Sequence, residues 1–268
     1  RFMNSGKKDW VKVAKQSRQF ERMEAYFEDF GFTPHRHDTF AIGQTLGGIH
    51  NFNYRKSLRH SLPGGTVVIH PDELHDGEAG NEMGFYYRIL YVSPELIQEV
   101  LGPNPLPFLE EGITRDARLG SVVQNILCDL DSDLDPLDED DKVYELATTL
   151  SVVSGQKVKR KTINYAAANK AREFILDCLD SPLSLEQIEA VANTDRWSLS
   201  RDFRAVYGTS PYRYLTLRRL DKVKAFIHCG LSLTDASLEA GFTDQSHMTN
   251  KFCKAFGMSP GTWRKLSQ

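Results

Sequence analysis

One feature constrains the fold of this chain more than any other: its last hundred residues contain the same unit twice. "LSLEQIEAVANTDRWSLSRDFRAVYGTSP", starting at Leu183, aligns with "LSLTDASLEAGFTDQSHMTNKFCKAFGMSP", starting at Leu231, with one extra residue in the second copy's turn. Leu199 falls on Met248, Phe203 on Phe252, Tyr207 on Phe256, Gly208 on Gly257, Ser210 on Ser259 and Pro211 on Pro260. A recurring unit of this length is one supersecondary motif used twice. Each copy reads as a short helix, a turn and a second helix stopped by glycine, the layout of a helix-turn-helix. In the first copy the leading helix spans about Leu185 to Ala192 with Ile188 and Val191 inward, and Asn193 to Asp195 make the turn; in the second it ends near Ala240, where Gly241 gives a permissive exit.

The second helices carry the chemistry. At about 100° per residue, Leu199, Phe203, Val206 and Tyr207 form a buried stripe and throw Trp197, Arg201 and Arg204 outward. By the same phase Met248, Phe252, Ala255 and Phe256 are buried, and Ser246, Asn250 and Lys254 point out. Arginine grips a guanine edge with two donors, asparagine does so for adenine, and lysines suit phosphates. Trp197 has two readings: an exposed indole that contacts a thymine methyl or a sugar in the major groove, or a partly buried aromatic at the edge of the core. Between the copies, Leu217, Leu220, Val223, Lys224 and Ile227 mark a longer amphipathic helix that joins the motifs rigidly. If it sets the reading helices about 34 Å apart, one chain enters two successive major grooves.

The N-terminal part has a different period. From Glu21 to about Val92, "TFAIGQTLGG", "HNFNYR", "GTVVIHP" and "FYYRILYVS" alternate with period two, and Gly47-Gly48, Pro63-Gly64-Gly65 and Asp76-Gly77 punctuate them. Strands this close imply a small antiparallel barrel or jelly roll. In the last of them Phe85, Tyr87, Ile89 and Tyr91 share one face, Tyr86, Arg88, Leu90 and Val92 the other, and one of the two lines the interior. Leu119, Val122, Val123, Ile126, Leu127 and Leu130 then mark one helix, and Val143, Leu146, Ala147 and Leu150 another. These two either cover the barrel edge or pack on their copies in a second subunit. The acidic run between them, "DSDLDPLDEDD", reads as a solvated loop, and the polar "SVVSGQKVKRKTINY" as an interdomain linker. The expected class is α+β: a barrel over residues 1–112, a helical dimerisation segment over 113–150, a linker over 151–165 and an all-α domain over 166–268.

Charge is split along the chain. From Tyr165 onward there are 14 Lys and Arg against 11 Asp and Glu, which leaves 19 against 25 in the rest, a modest basic tilt on the repeat side. Cys128, Cys178, Cys229 and Cys253 have no metal or disulfide spacing and read as free thiols. No apolar stretch approaches the roughly 18 residues of a membrane span, and "RFMNSGKKDW" lacks the pattern of a signal peptide, so a cytoplasmic protein is expected.

The C-terminal region resembles the DNA-binding domain of the AraC/XylS family of bacterial transcription regulators. The resemblance covers about residues 166–266 and rests on "LSLEQIEAVA", "WSLSRDFR", "GTSPYRYL", "RRLDKVKAFI" and "EAGFTDQSHMTNKFCKAFGMSPGTWR". The N-terminal part looks like the family's cupin-type effector-binding domain, through "PHRHDTFAIGQTLGG" and "LPGGTVVIHPDELHDG". The resemblance implies a regulator, more often an activator than a repressor, that binds double-stranded promoter DNA, answers to a small-molecule effector, forms a homodimer and works with RNA polymerase. It places base reading on Trp197, Ser200 and Arg201 in the first motif and on Gln245, Ser246, His247 and Asn250 in the second. The chain departs from the family at Asn250, where Arg is frequent, and at Ala236-Ser237, so the first motif is expected to carry most of the specificity.

His35, His37 and His75 sit where metal-binding cupins supply an H-x-H and a later His, but Ala41 and Ile42 stand where such enzymes place a carboxylate. Three readings are open: a zinc site with three ligands and a water, structural histidines, or effector contacts. His35, His37, His75 and Tyr87 are taken as effector candidates, with no metal or other cofactor assigned. Tyr87 would offer a flat ring and one hydroxyl. No nucleophile arrangement or phosphate loop emerges, so the chain is read as a non-enzyme. The rival is a metal-dependent cupin enzyme fused to a DNA-binding module.

Overall fold

The structure, a computed structural model, describes residues 9–15, 17–28, 31–102, 104–156, 162–256 and 258–266. The chain divides into two units: residues 1–135 with 142–160, and residues 136–141 with 161–268.

The first unit is built on two antiparallel sheets. Six strands, β1 (Trp10–Val13), β2 (Phe20–Phe27), β4 (Phe40–Gly48), β7 (Thr66–Ile69), β9 (Phe85–Val92) and β10 (Ile113–Thr114), form a sheet of order β1-β2-β9-β4-β7-β10. Four more, β3 (Phe32–His35), β5 (His50–Tyr54), β6 (Ser57–Ser61) and β8 (His75–Ala79), form one of order β3-β8-β5-β6. Ala25, Ala41, Val67, Phe85, Tyr87 and Ile89 from the first meet Phe52 and Tyr54 from the second in one apolar cluster. The Phe85, Tyr87, Ile89 face therefore lines the interior, since alternate side chains of a strand share one face.

The opposite face of the six-stranded sheet lies under a helix. After α1 (Pro94–Leu101), α2 (Ala117–Leu127) buries Leu119, Val123, Ile126 and Leu127, while Val122 stays half-exposed. The last carbonyls of a helix lack intrahelical partners. Here sheet arginines supply them: Arg22 Nη1 donates to Ile126 O at 3.4 Å and, just past the helix, to Asp129 O at 2.7 Å, and Arg88 Nη1 to Leu127 O at 2.8 Å. Positive charge at this end also complements the helix dipole.

The acidic run is not the solvated loop its composition suggests. Its second half is the start of α3 (Pro136–Val153), in which Leu137, Glu139, Asp140 and Asp141 are buried. A count of acidic residues cannot register cations supplied by distant segments. Farther along α3, Val143, Leu146, Ala147 and Leu150 are buried on the expected stripe. Of the expected linker, 151–153 are still α3 and 157–161 lie outside the described residues.

The second unit holds seven further helices: α4 (Tyr165–Asp177), α5 (Leu185–Ala192), α6 (Arg196–Tyr207), α7 (Pro211–His228), α8 (Leu233–Glu239), α9 (Gln245–Phe256) and α10 (Pro260–Leu266). Two cores follow the repeat. Ala167, Ala171 and Ile175 of α4 join Leu185 and Ile188 of α5, Leu199 and Phe203 of α6, and Tyr212 and Leu215 of α7. Leu220, Val223 and Ile227 of α7 join Ala236, Ala240, Phe242, Met248 and Phe252. The copies begin alike: Ser184 and Ser232 cap α5 and α8, and Asp195 and Asp244 accept the N–H of Ser198 and His247 at 2.9 and 2.7 Å. Two expectations of burial fail. Val191 is exposed and Ala255 is exposed, because each sits one position off the stripe that its neighbouring helices cover.

Candidate nucleic-acid interface and ligand site

The two second helices differ in what they leave open. On α9, Ser246, Asn250 and Lys254 are exposed, as their phase requires. Gln245 is half-buried and accepts the Thr234 hydroxyl through Oε1 at 2.7 Å, and His247 lies edge-on to Phe242 with ring centroids 5.7 Å apart. This face offers an amide, a hydroxyl and an ammonium group to solvent, the set that reads base edges and holds a phosphate.

On α6 the face expected to read DNA is covered. Trp197 is only 6% exposed and Ser200 only 1%, which corrects the expectation of an exposed indole. The Arg196 guanidinium lies 4.6 Å from the indole centroid. Helical phase reports where a side chain points, but not what other segments cover it. Arg201 is half-buried and donates through Nε and Nη2 to Asp202 Oδ1 at 2.9 and 2.7 Å. Arg204 donates through Nη1 to Ser200 O at 3.3 Å and through Nη2 to Asp141 Oδ1 at 2.8 Å. Asp202 is itself buried and accepts the Asn164 N–H, so it ties Arg201 to the start of α4.

In the first unit the strands bring three imidazoles together. His35 and His75 have ring centroids 4.3 Å apart, His37 and His75 4.7 Å, and His35 and His37 6.1 Å. Each ring places Nδ1 near a carbonyl two residues away: Thr33 O at 2.8 Å for His35, Thr39 O at 2.8 Å for His37 and Glu73 O at 2.9 Å for His75. A carbonyl only accepts, so Nδ1 carries a proton in each ring, and where a ring is neutral its Nε2 keeps a lone pair. Burial lowers the His37 pKa and takes that of His75 down to about 4. His37 Nε2 is buried and has no hydrogen-bond partner among the described residues.

Tyr91, which the sequence put on the same strand face as Tyr87 without a role, meets His37 edge-on at 5.7 Å. Tyr91 and Thr39 also line a cleft of about 420 Å³ shared with Ser17, Arg18 and Gln19. Tyr87 faces the interior as expected and is buried, stacked with Phe85 at 5.3 Å and His50 at 5.7 Å. His50, which sequence reasoning passed over, fills the interior by stacking on Phe85 at 4.4 Å. Among the described residues, no group of three or more His, Cys, Asp or Glu is arranged to hold a metal ion.

Two protein-family models match this chain. The AraC-like ligand binding domain covers residues 19–147, and a helix-turn-helix domain covers residues 188–266. The uncharacterized HTH-type transcriptional regulator YbfI of Bacillus subtilis (strain 168) is 22% identical over 231 residues, 81% of each chain. The HTH-type transcriptional activator RhaS of Enterobacter sp. (strain 638) is 25% identical over 242 residues, 85% of this chain and 86% of its own. The transcriptional regulator Rob of Salmonella typhimurium is 33% identical over 91 residues, a match confined to 34% of this chain and 32% of its own. With a ligand-binding unit built on two sheets ahead of two helix-turn-helix motifs, this chain belongs to the AraC/XylS family of transcription regulators.

Proposed function

We propose that this regulator is an activator whose first unit binds a small effector at His35, His37 and His75, with Tyr91 beside His37 and Tyr87 on the same interior face, and whose α6 and α9 read promoter DNA. The observation that carries the reading is the pairing of two related reading helices with a triangle of imidazoles. The Nε2 acceptors of His37 and His75, whose pKa values burial lowers, select a ligand that presents O–H or N–H donors, and the Tyr91 ring gives it an apolar wall. DNA contacts fall to Arg201, Arg204, Gln245, Ser246, His247, Asn250 and Lys254. Trp197 and Ser200 join them only in a form in which α6 is uncovered.

The protein works as a homodimer with RNA polymerase in the cytoplasm and catalyses no reaction of its own. No helix among the described residues is long and apolar enough to cross a membrane. Effector binding changes DNA occupancy only through its different affinities for the two forms of the protein.

Binding-site selection with the full chain, at two salt concentrations and with and without a panel of polyols and amines, tests this reading. A consensus of two blocks about one helical turn apart, bound differently when a panel member is present, is the expected result. Salt-sensitive binding without sequence preference would overturn it.

A further inference from the structure

The first turns of α3 bring carboxylates to the cations of the reading helices. Asp140 Oδ1 lies 3.7 Å from Arg196 Nη1, Asp141 Oδ1 2.8 Å from Arg204 Nη2, and Asp138 Oδ2 3.7 Å from Lys251 Nζ on α9. Asp141 also accepts the Ser210 hydroxyl at the cap of α7. The segment is seated rather than loosely apposed: Leu137 lies in the same apolar cluster as Leu199 and Phe203, and Asp140 is 1% exposed. With Arg201 held by Asp202, every arginine of α6 has a carboxylate partner. Exposed Asn250 and Lys254 on α9 contrast with this.

A carboxylate offers a guanidinium the same charge and the same pair of acceptors as a phosphate does. One guanidinium cannot serve both at full strength, and Trp197 and Ser200 cannot meet a base while buried. We propose that residues 136–141 act as an internal stand-in for DNA phosphates: they hold the first motif shut, and operator binding requires their withdrawal from α6. This rests on the reading of α6 as a DNA-contacting helix. In the shut form only α9 presents its outward face. α3 continues unbroken to Val153, and residues 142–153 belong to the first unit, so the helix is a covalent route by which ligand binding there bears on α6.

The test compares full chains by fluorescence anisotropy on the operator found by site selection. D138N/D140N/D141N is set against wild type and against E82Q/E95Q/E110Q, which removes the same charge at exposed positions elsewhere. If the open form makes up about a tenth of the wild-type population, the first variant binds about tenfold tighter than the control. Should the triple change unfold the protein, D138N/D140N, set against E82Q/E95Q, spares Asp141 and its bond to Ser210 and carries the same comparison. Equal affinities for the variant and its charge-matched control would overturn the mask. The DNA-contact reading is tested separately by adding Arg201→Ala. If that change weakens wild type while neutralisation gives no gain, α6 reads DNA and the mask is wrong. If Arg201→Ala has no effect in either background, the reading of α6 fails and the mask falls with it.

Discussion

The Tyr54 hydroxyl and His70 Nδ1 lie 2.7 Å apart in the core of the first unit, and His70 Nε2 accepts the Leu109 N–H at 3.0 Å. Because Nε2 is an acceptor, the proton sits on Nδ1 and the ring is neutral. Burial is the main cause that takes the His70 pKa from 6.5 to about 4, with Arg55 acting in the same direction. The unfolded chain therefore binds a proton first as pH falls. This group's contribution is whole above about pH 6.5, declines between 6.5 and 4, and is lost below. Burial takes His50 and His75 to about 4 as well, with the same sign. Thermal melting from pH 7.5 to 5.0 should show a steeper loss for wild type than for His70→Gln, by on the order of 1–2 kcal/mol. Parallel curves would refute the assignment.

Two glycines of the second unit separate backbone strain from crowding. Gly208 and Gly241 both have positive φ, +68° and +88°. A Cβ on Gly208 meets nothing within 4 Å, whereas on Gly241 it comes within 2.6 Å of Leu179 O and 3.0 Å of Arg219 Nε. That carbonyl is already bonded to Arg219 Nε at 2.6 Å, so it cannot give way cheaply. Gly208→Ala should cost about 1 kcal/mol in urea unfolding and Gly241→Ala about 2 kcal/mol or more. Equal costs would mean that the close approach at Gly241 is relieved by a shift of the chain.

On α9, Asn250 and Lys254 should fail in different ways. Asn250→Ala is expected to cost about 1–3 kcal/mol at one base position and to relax preference there. Lys254→Ala should weaken all sequences alike and reduce the salt slope by about one. Competition titrations against operators with single base changes distinguish the two patterns. Uniform weakening by both variants would place Asn250 on the sugar-phosphate backbone instead.

The fold was legible where a period ran unbroken. α5 falls on the expected Leu185 to Ala192, and strands form where expected around Ile42, Val68 and Leu90, though β7 is buried at every position because α2 covers the second face. β6, with Ser57, Arg59 and Ser61, was not legible, because a short polar edge strand lacks an apolar alternation. The histidine triangle was half legible: the spacing grouped His35, His37 and His75, while Tyr91 acquires its place only through β9. Least legible was the cover over α6. Trp197 has the phase of an outward residue, and Asp140 the composition of a loop, until Arg196 is seen to link them.

His35 gives the cleanest test of the ligand site, since its ring is exposed. His35→Ala should change stability by about 0.5 kcal/mol or less. It should nevertheless abolish the rise in melting temperature that an O–H or N–H donor ligand gives wild type. His75→Ala should lose the same response, at a greater cost to the free protein because its ring is buried. A ligand response that survives in both would move the site away from the triangle.

α7 is an 18-residue helix whose two ends belong to different cores. At 1.5 Å per residue it is a strut of about 27 Å with no flexible joint. If both motifs read DNA as proposed, seating one presents the other to its half-site at an effective concentration fixed by geometry rather than by the amount of protein in the cell. The same stiffness makes spacing part of the code: separating the half-sites by half a helical turn removes this advantage even when every base the protein reads is intact.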